Sequence, residues 1–186
     1  MSTTEERTPY HDYHERHAKQ TNKFGLKYCD HFAVPSRNPE IAGKFYEQIL
    51  GAVEFFRAGY GPVGKNKHIF YHVGATLVEV AEQEDGVSYA DVTNPESRNF
   101  NPHWAFNTTA EGVLTFRDHL QAEGIPFAGP RRHVEVSAVS VYFRDMEGNQ
   151  LEVTTWEEFP DSEIPARIPG ERIVNWASLA HEWRPR

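Results

Sequence analysis

Three features are scarce in this sequence of 186 residues: cysteine, long apolar runs and positive charge. The single cysteine, Cys29, excludes an internal disulfide framework and fits a reducing compartment. No stretch approaches the roughly 20 apolar residues that a membrane span requires. The formal net charge of −8 argues against a nucleic-acid surface, which would need a basic patch. We therefore expect no nucleic-acid partner and no membrane partner.

The first segment, residues 1–26, is polar and charged and has no apolar core, so we expect no signal peptide and a cytoplasmic protein. His11, His14 and His17 are spaced by three within it. A metal site there stays open, but the pattern favours a solvated arm because nothing nearby forms a core. Cys29 falls at the apolar start of a predicted strand, 28–34, and is interpreted as a buried structural thiol.

Two segments have the spacing of an amphipathic helix. In 39–50 the apolar residues recur every three or four positions, Pro39 opens the first turn, and Gly51 ends the segment. The same pattern predicts a helix over 109–123. The first helix follows a predicted strand, 28–34, and precedes three more, 53–56, 68–73 and 76–80. The second helix follows the predicted strand 103–107 and precedes 125–128, 134–143 and 150–155, with a turn at Gly129-Pro130. The order β-α-β-β-β thus occurs twice.

Equivalent residues recur in the two halves at an offset of 72 or 73: His31 with His103, Gly51 with Gly124, and Glu79 with Glu152. A long period seen twice indicates duplicated modules. We therefore divide the chain into an N-terminal extension, 1–26, a paired domain, 27–157, and a C-terminal extension, 158–186. The domain has modules 27–82 and 102–157, joined by a linker or lid, 83–101. Within the C-terminal extension, 172–183 has the pattern of a short amphipathic helix.

Two histidines and two glutamates stand among apolar neighbours on first and last strands: His31, Glu79, His103 and Glu152. A carboxylate between Leu151 and Val153 must reach solvent, pair with a cation or bind a metal, because burying it alone is costly. A single strand histidine is usually structural, but this set at equivalent places indicates a metal site. Imidazole and carboxylate ligands suit Fe, Mn, Co, Ni or Zn.

The first strands DHFAV and PHWAF and the last strands LVEVAE and GNQLEV resemble those of the vicinal oxygen chelate superfamily, over about residues 28–157. That superfamily contains glyoxalase I, epimerases, fosfomycin-resistance enzymes, bleomycin-resistance proteins and extradiol dioxygenases. The resemblance implies an α+β fold in which paired βαβββ modules form a curled mixed sheet around a metal site, with N- and C-terminal extensions. It implies His31, His103 and Glu152 as metal ligands, and Glu79 as the fourth ligand of glyoxalase I-like members.

The second half also resembles the extradiol dioxygenase signature, at His133, Val141-Tyr142, Asp145, Gly148 and Glu152. Met146 replaces a proline of that signature. Arg131, two places before His133, is not one of the residue types usual at that position of the signature. The resemblance implies His133 as an acid/base near bound oxygen and Tyr142 as a hydrogen-bond donor to substrate. The two residues are nine apart, so one regular strand would point them to opposite faces unless a bulge or break intervenes.

Three functions stay open. The first is an Fe(II)-dependent ring-cleaving dioxygenase of a small catechol-like diol. The second is a glyoxalase I-like lyase or isomerase, or an epimerase, that uses Ni, Zn or Mn. The third is a non-enzymatic small-molecule binding or resistance protein, although such proteins typically lack the ligands. If Glu79 binds the metal as a fourth ligand, the lyase, isomerase or epimerase is favoured. If Glu79 pairs with another side chain or faces solvent, the dioxygenase is favoured. We expect a small-molecule substrate and a homodimer.

Overall fold

The computed structural model describes residues 29–60, 67–83, 103–133, 138–166 and 174–186, and in them the order β-α-β-β-β occurs twice. Module 1 consists of β1 (His31–Ser36), α1 (Pro39–Leu50), β2 (Val53–Ala58), β3 (His68–Val73) and β4 (Thr76–Glu82). Module 2 consists of β5 (Trp104–Asn107), α2 (Ala110–Glu123), β6 (Phe127–Arg132), β7 (Val139–Arg144) and β8 (Gln150–Thr155). Two 3-10 helices follow, Asp161–Glu163 and Trp176–Leu179. The histidine-bearing arm and nearly all of the predicted linker lie outside the described residues.

Each module forms a four-stranded mixed sheet, with strand orders β1-β4-β3-β2 and β5-β8-β7-β6. In each sheet the first and last strands of the module are parallel neighbours and the other pairs are antiparallel. The helix of each module packs on one sheet face, and we call the opposite face the inner face. The predicted α+β class with paired βαβββ modules is confirmed.

The helices begin and end where the sequence predicted. Asn38 caps α1 by accepting a hydrogen bond from the Ile41 amide, and Thr109 caps α2 through the Gly112 amide. Gly51 and Gly124 end the two helices with φ values of 63° and 70°, a left-handed conformation that glycine adopts without steric cost. Both helices therefore depend on cap residues encoded next to them.

The two modules share one apolar core and are also joined by hydrogen bonds. The Tyr46 hydroxyl on α1 donates to Asp145 Oδ2 at 3.0 Å, and both groups are buried. Glu147 accepts from the Ser36 hydroxyl at 3.1 Å and from the Arg37 amide at 3.0 Å. The turn between β7 and β8 is thereby fixed against the end of β1 and against α1.

Two predictions about module edges were wrong. Cys29 is exposed rather than buried, because β1 begins only at His31 and leaves the cysteine outside the sheet. Gly129-Pro130 is not a turn between strands but lies inside β6, where the pairing with β7 shifts register between Ala128 and Arg131. A bulge of this kind accommodates the residues within a continuous strand.

Two other predictions need a change of boundary or type. The strand predicted over 134–143 begins at Val139, and 134–137 lie outside the described residues. The amphipathic helix predicted over 172–183 is a single 3-10 turn, Trp176–Leu179, in the part that the structure describes. Of the helices that the structure describes, none has the length and apolar character needed to cross a membrane.

Candidate active site

His103 and Glu152 meet on the inner face of module 2. Leu151 and Val153 are buried in the core, so alternation along β8 turns Glu152 to the inner face. His103 precedes β5 and lies two residues from Ala105, which pairs with Glu152. The His103 Nε2 and Glu152 Oε2 atoms are 2.7 Å apart. Burial acts to raise the pKa of Glu152, but hydrogen bonds from His103 and Ser140 outweigh it, and the pKa lies below its ordinary value.

His133 and Tyr142 form a second pair on the same face. The His133 Nε2 atom and the Tyr142 hydroxyl share a hydrogen bond of 2.6 Å. Tyr142 pairs with Glu152 across β7 and β8, and its ring lies edge-on to His103 with centroids 6.0 Å apart. Burial, followed by the charge of Glu152, raises the pKa of the Tyr142 hydroxyl. The phenol is therefore protonated at neutral pH and can donate a hydrogen bond.

Glu79 and His31 lie together on the inner face of module 1, with a third residue that the sequence reading missed. One Glu79 oxygen is 2.5 Å from His68 Nδ1, and the other is 3.7 Å from His31 Nε2. The Asp30 carboxylate lies 2.9 Å from the other ring nitrogen of His31. Alternation could have identified His68, because it lies two residues before Phe70, the partner of Glu79 across β3 and β4.

The four residues proposed as metal ligands thus fall into two pairs, His31 with Glu79 and His103 with Glu152. Among the described residues, no group of three or more His, Cys, Asp or Glu side chains is placed to hold a metal ion. The donor types nevertheless suit a divalent transition metal, and His103 and Glu152 already converge. One chain therefore presents two partial sites, each with imidazole and carboxylate donors.

Sequence reasoning also missed two neighbours of the module 2 pair. Ser140 is fully buried, its hydroxyl lies 2.9 Å from Thr154 Oγ1, and it helps to lower the pKa of Glu152. Trp176 comes from the C-terminal extension, and its ring lies 6.0 Å from that of His103 and 5.6 Å from that of Tyr142. The sequence could have identified Ser140 as a site residue, since it alternates with Tyr142 on β7. The sequence could not have identified Trp176, because its contact depends on the path of the chain after β8.

The comparisons with known proteins agree with this architecture. The family model of the Glyoxalase/Bleomycin resistance protein/Dioxygenase superfamily matches residues 28–153. The chain belongs to this superfamily, as the resemblance implied. A search of the curated proteins found no match.

Solved structures share the fold at low sequence identity. A glyoxalase/bleomycin resistance protein/dioxygenase domain from Frankia sp. EAN1pec has a TM-score of 0.58 at 18% identity, covering 72% of this chain and 94% of that one. An integron cassette protein from the Halifax Harbour sewage outfall metagenome has a TM-score of 0.55 at 24% identity, covering 70% and 99%. The fosfomycin resistance protein FosX from Listeria monocytogenes, complexed with Mn(II) and sulfate, has a TM-score of 0.52 at 19% identity, covering 74% and 97%.

Proposed function

We propose that this protein is an enzyme that depends on one divalent metal ion, held by His31, His103 and Glu152. The observation that supports the proposal is the contact between His103 and Glu152, in which a buried ionised carboxylate faces an imidazole. Two histidines and one carboxylate suit Fe(II), with Mn, Ni and Zn as alternatives. When bound, Fe(II) would offer sites to both oxygens of a diol and to dioxygen, which lowers the entropic cost of bringing them together.

We propose further that a second copy of the chain contributes His31 to the site. Within one chain His31 contacts Glu79 and Asp30 of its own module, while His103 and Glu152 pair in the other. The strand β2 of module 1 carries three large apolar side chains that are more than half exposed, Val53, Phe55 and Phe56. A homodimer that covers this strand and the inner face of module 1 would hide that apolar surface.

The reaction we favour is the extradiol cleavage of a small catechol-like diol, and the His133–Tyr142 pair supports it. In this assignment His133 accepts or returns a proton at Nε2. Tyr142, whose raised pKa keeps it protonated, donates a hydrogen bond to an oxygen of the substrate. Without metal, the hydrogen bond from His103 keeps Glu152 ionised, and a bound metal would replace that proton as the partner of both side chains. The phenol has one proton, so its donation to the substrate requires that the 2.6 Å bond run from a protonated Nε2 of His133 to the Tyr142 oxygen, which is the state in which His133 can act as the acid.

A second candidate is a lyase or isomerase of the glyoxalase I kind, or an epimerase. Its support is the placement of Glu79 on the inner face beside His31, where it could serve as a fourth ligand or move a proton. The hydrogen bond between Glu79 and His68 counts against this candidate, because it gives the carboxylate a protein partner.

Oxygen uptake tests the proposal directly. The purified protein is stripped of metal, reconstituted anaerobically with Fe(II) and mixed with a panel of substituted catechols. We expect Fe(II)-dependent uptake with a yellow ring-cleavage product, and loss of both in His103→Ala. The matched control is His119→Ala, since His119 contacts the Gln48 carbonyl at 3.1 Å, outside this site. No uptake, combined with tight binding of Ni or Zn that weakens in Glu79→Gln, would favour the lyase or isomerase instead.

A further inference from the structure

The C-terminal strap, which we define as residues 174–186, lies beyond the part of the chain that the family model matches. That match ends at residue 153, and the integron cassette protein, almost all of which is covered, accounts for only 70% of this chain. The strap places a 3-10 turn, Trp176–Leu179, against β7, and the Trp176 ring contacts that of His103. A segment outside the shared domain therefore covers one side of the candidate active site.

The strap buries Tyr142, the proposed donor to the substrate. Tyr142 is 3% exposed and forms one apolar cluster with Trp176 and Leu179, against which Val174 also packs. The Trp176 ring stands nearly perpendicular to that of Tyr142, with centroids 5.6 Å apart, and the Tyr142 hydroxyl is bonded to His133. The strap therefore has to move before an oxygen of the substrate can approach the Tyr142 hydroxyl.

His181, near the far end of the strap, has a buried ring nitrogen without a partner. Its Nδ1 atom lies 3.2 Å from the Leu179 carbonyl, which only accepts hydrogen bonds, so Nδ1 carries the proton of the neutral ring. The Nε2 atom is buried and has no hydrogen-bond partner among the residues that the structure describes. A proton added at Nε2 would therefore create a buried charge that no acceptor receives.

The groups around His181 also disfavour a charged ring. From α1 the apolar ring of Phe45 faces it, with centroids 6.2 Å apart. Burial above all, and then the positive charge of Arg144 on β7, lower the pKa of His181, although its bond to the strap carbonyl partly offsets them. Glu182 and Arg184, the charged neighbours on the strap itself, are exposed, so solvent and salt screen their charges.

Arg144 connects this histidine to the indole over the site. Arg144 Nη1 donates to the Trp176 carbonyl at 3.2 Å, and its Nε donates to the Gly148 carbonyl at 3.0 Å. The guanidinium thus holds the near end of the strap, while its charge would repel a protonated His181. Because Trp176 and His181 belong to one short segment, release at His181 also loosens the indole.

We propose that the C-terminal strap is an autoinhibitory lid, which covers Tyr142 while His181 is neutral and opens when His181 takes up a proton. In the open state the ring reaches water, where its pKa is about 6.5. Above that pH the closed state has its full preference, and it loses this preference as the pH falls towards the lower pKa of His181 in the closed strap. The lid rests on the proposed function only in giving Tyr142 a role towards the substrate.

Thiol labelling measures the opening against pH without metal or substrate. In a Cys29→Ser background, Leu179→Cys places a thiol at a buried position of the strap, and Ser178→Cys places one at its exposed neighbour. The rate of reaction with 4,4′-dithiodipyridine at position 178, divided by that at position 179, gives the protection due to closure and cancels the pH dependence of the thiol itself. We expect this protection to fall by at least about fivefold from pH 8 to pH 5.

Two changes of His181 should act in opposite directions. His181→Leu removes the titrating group and should keep the strap protected across this range, whereas His181→Arg has a permanent charge and should remove most of the protection at pH 8. His119→Leu, at a partly buried histidine of α2, is the matched control and should retain the pH dependence. Asp145 titrates in the same range, but its protonation favours the folded state and so does not mimic the opening.

Nitration at pH 8 is a second measurement, which does not require the cysteine variants to fold. Tetranitromethane modifies accessible tyrosines, and mass spectrometry locates each nitro group. We expect Tyr142 to react at least about fivefold faster in His181→Arg than in His181→Leu, because the open strap uncovers it. Tyr60, which is exposed, should react equally in both variants.

A lid controlled by His181 is ruled out if the protection does not change with pH, or if it changes equally in His181→Leu. Equal nitration of Tyr142 in the two His181 variants would also overturn it. The proposed function is read separately, since neither measurement uses metal or substrate. Fe(II)-dependent oxygen uptake by a protein whose strap ignores pH would keep the proposed function and reject the lid, and a strap that opens with acid in a protein without uptake would do the reverse.

Discussion

The Tyr142 hydroxyl lies 2.6 Å from Nε2 of His133, although the two residues are nine positions apart. A single regular strand would have pointed them to opposite faces. In the structure His133 follows β6 and Tyr142 lies on β7, and the His133 amide donates to the Ala138 carbonyl at 2.8 Å. His133 is thereby level with Ala138, which alternates with Ser140 and Tyr142 on one face. The hairpin supplies the break that the proposed roles of these residues require.

The first prediction concerns this pair. We expect Tyr142→Phe to lower kcat for catechol cleavage by about 100-fold, because it removes the proposed donor to the substrate. Since the Tyr142 pKa is raised, the phenol stays protonated as the pH increases, and deprotonation of Tyr142 should not limit the wild-type rate near pH 8. Steady-state kinetics across pH would measure both effects. Tyr60→Phe, at an exposed tyrosine, is the control, and an equal loss of activity there would argue against a specific role of Tyr142.

A second prediction concerns how many residues hold the metal. Glu79 has a partner in His68 and touches the metal site only through His31, so we expect Glu79→Gln to weaken Mn(II) binding by no more than about tenfold. Glu152→Gln removes a proposed ligand and should weaken binding by at least about 100-fold. Titration calorimetry on the two variants makes the comparison. Comparable losses in both would indicate four protein ligands and favour lyase or isomerase chemistry.

The third prediction is a pH dependence of stability centred on Asp145. Burial raises the pKa of Asp145 to about 6, although hydrogen bonds from Asn149, Tyr46 and Glu147 partly offset that effect. The folded state therefore holds the carboxyl proton of Asp145 more tightly than the unfolded state, in which the pKa of this carboxyl is near 3.8. The contribution of Asp145 is most favourable below about pH 4, falls as the pH rises to about 6, and then levels off, with a total change of about 3 kcal/mol.

Urea unfolding from pH 4 to pH 7 would measure this dependence. Asp145→Asn should remove the contribution of Asp145 to the pH dependence of the free energy of unfolding, since asparagine does not titrate. Asp161→Asn is the control, because Asp161 is an exposed carboxylate paired with Arg132 at 2.7 Å. If the wild type and Asp145→Asn had parallel pH profiles, Asp145 would not be the titrating group.

A fourth prediction addresses the second copy of the chain. Phe55 and Phe56 are 63% and 54% exposed on β2, a strand at the edge of its sheet. We expect the double change of both residues to serine to shift the protein from dimer towards monomer in sedimentation velocity, because it removes apolar surface that a dimer would cover. Glu54→Gln on the same strand should leave the mass unchanged. A wild-type protein that sediments as a monomer at high micromolar concentration would rule out the proposed homodimer.

Those features that depend on a few neighbouring residues could be predicted from the sequence. Pro39, the spacing of apolar residues and the glycines that follow each helix gave the helix limits nearly to the residue. Alternation of apolar and polar side chains placed Glu79 and Glu152 on last strands and turned them away from the core. The repeated order of elements indicated two modules, and the resemblance to the vicinal oxygen chelate superfamily implied the fold class, which is correct. The helix and strand signals act over less than about two helical turns or one strand, so no knowledge of distant contacts was needed for them.

The tertiary structure decided which of these side chains meet. The ladder between β6 and β7, with its register shift, brings His133 to Tyr142, and the path of the chain after β8 brings Trp176 to His103. The four proposed ligands fall into two separate pairs because each pair belongs to the parallel first and last strands of its own module. Contacts of this kind depend on strand register and on packing between distant segments. Local periodicity fixes the face that a side chain occupies, because a one-residue slip would reverse it, but it does not fix which residue of a neighbouring strand or distant segment that side chain meets.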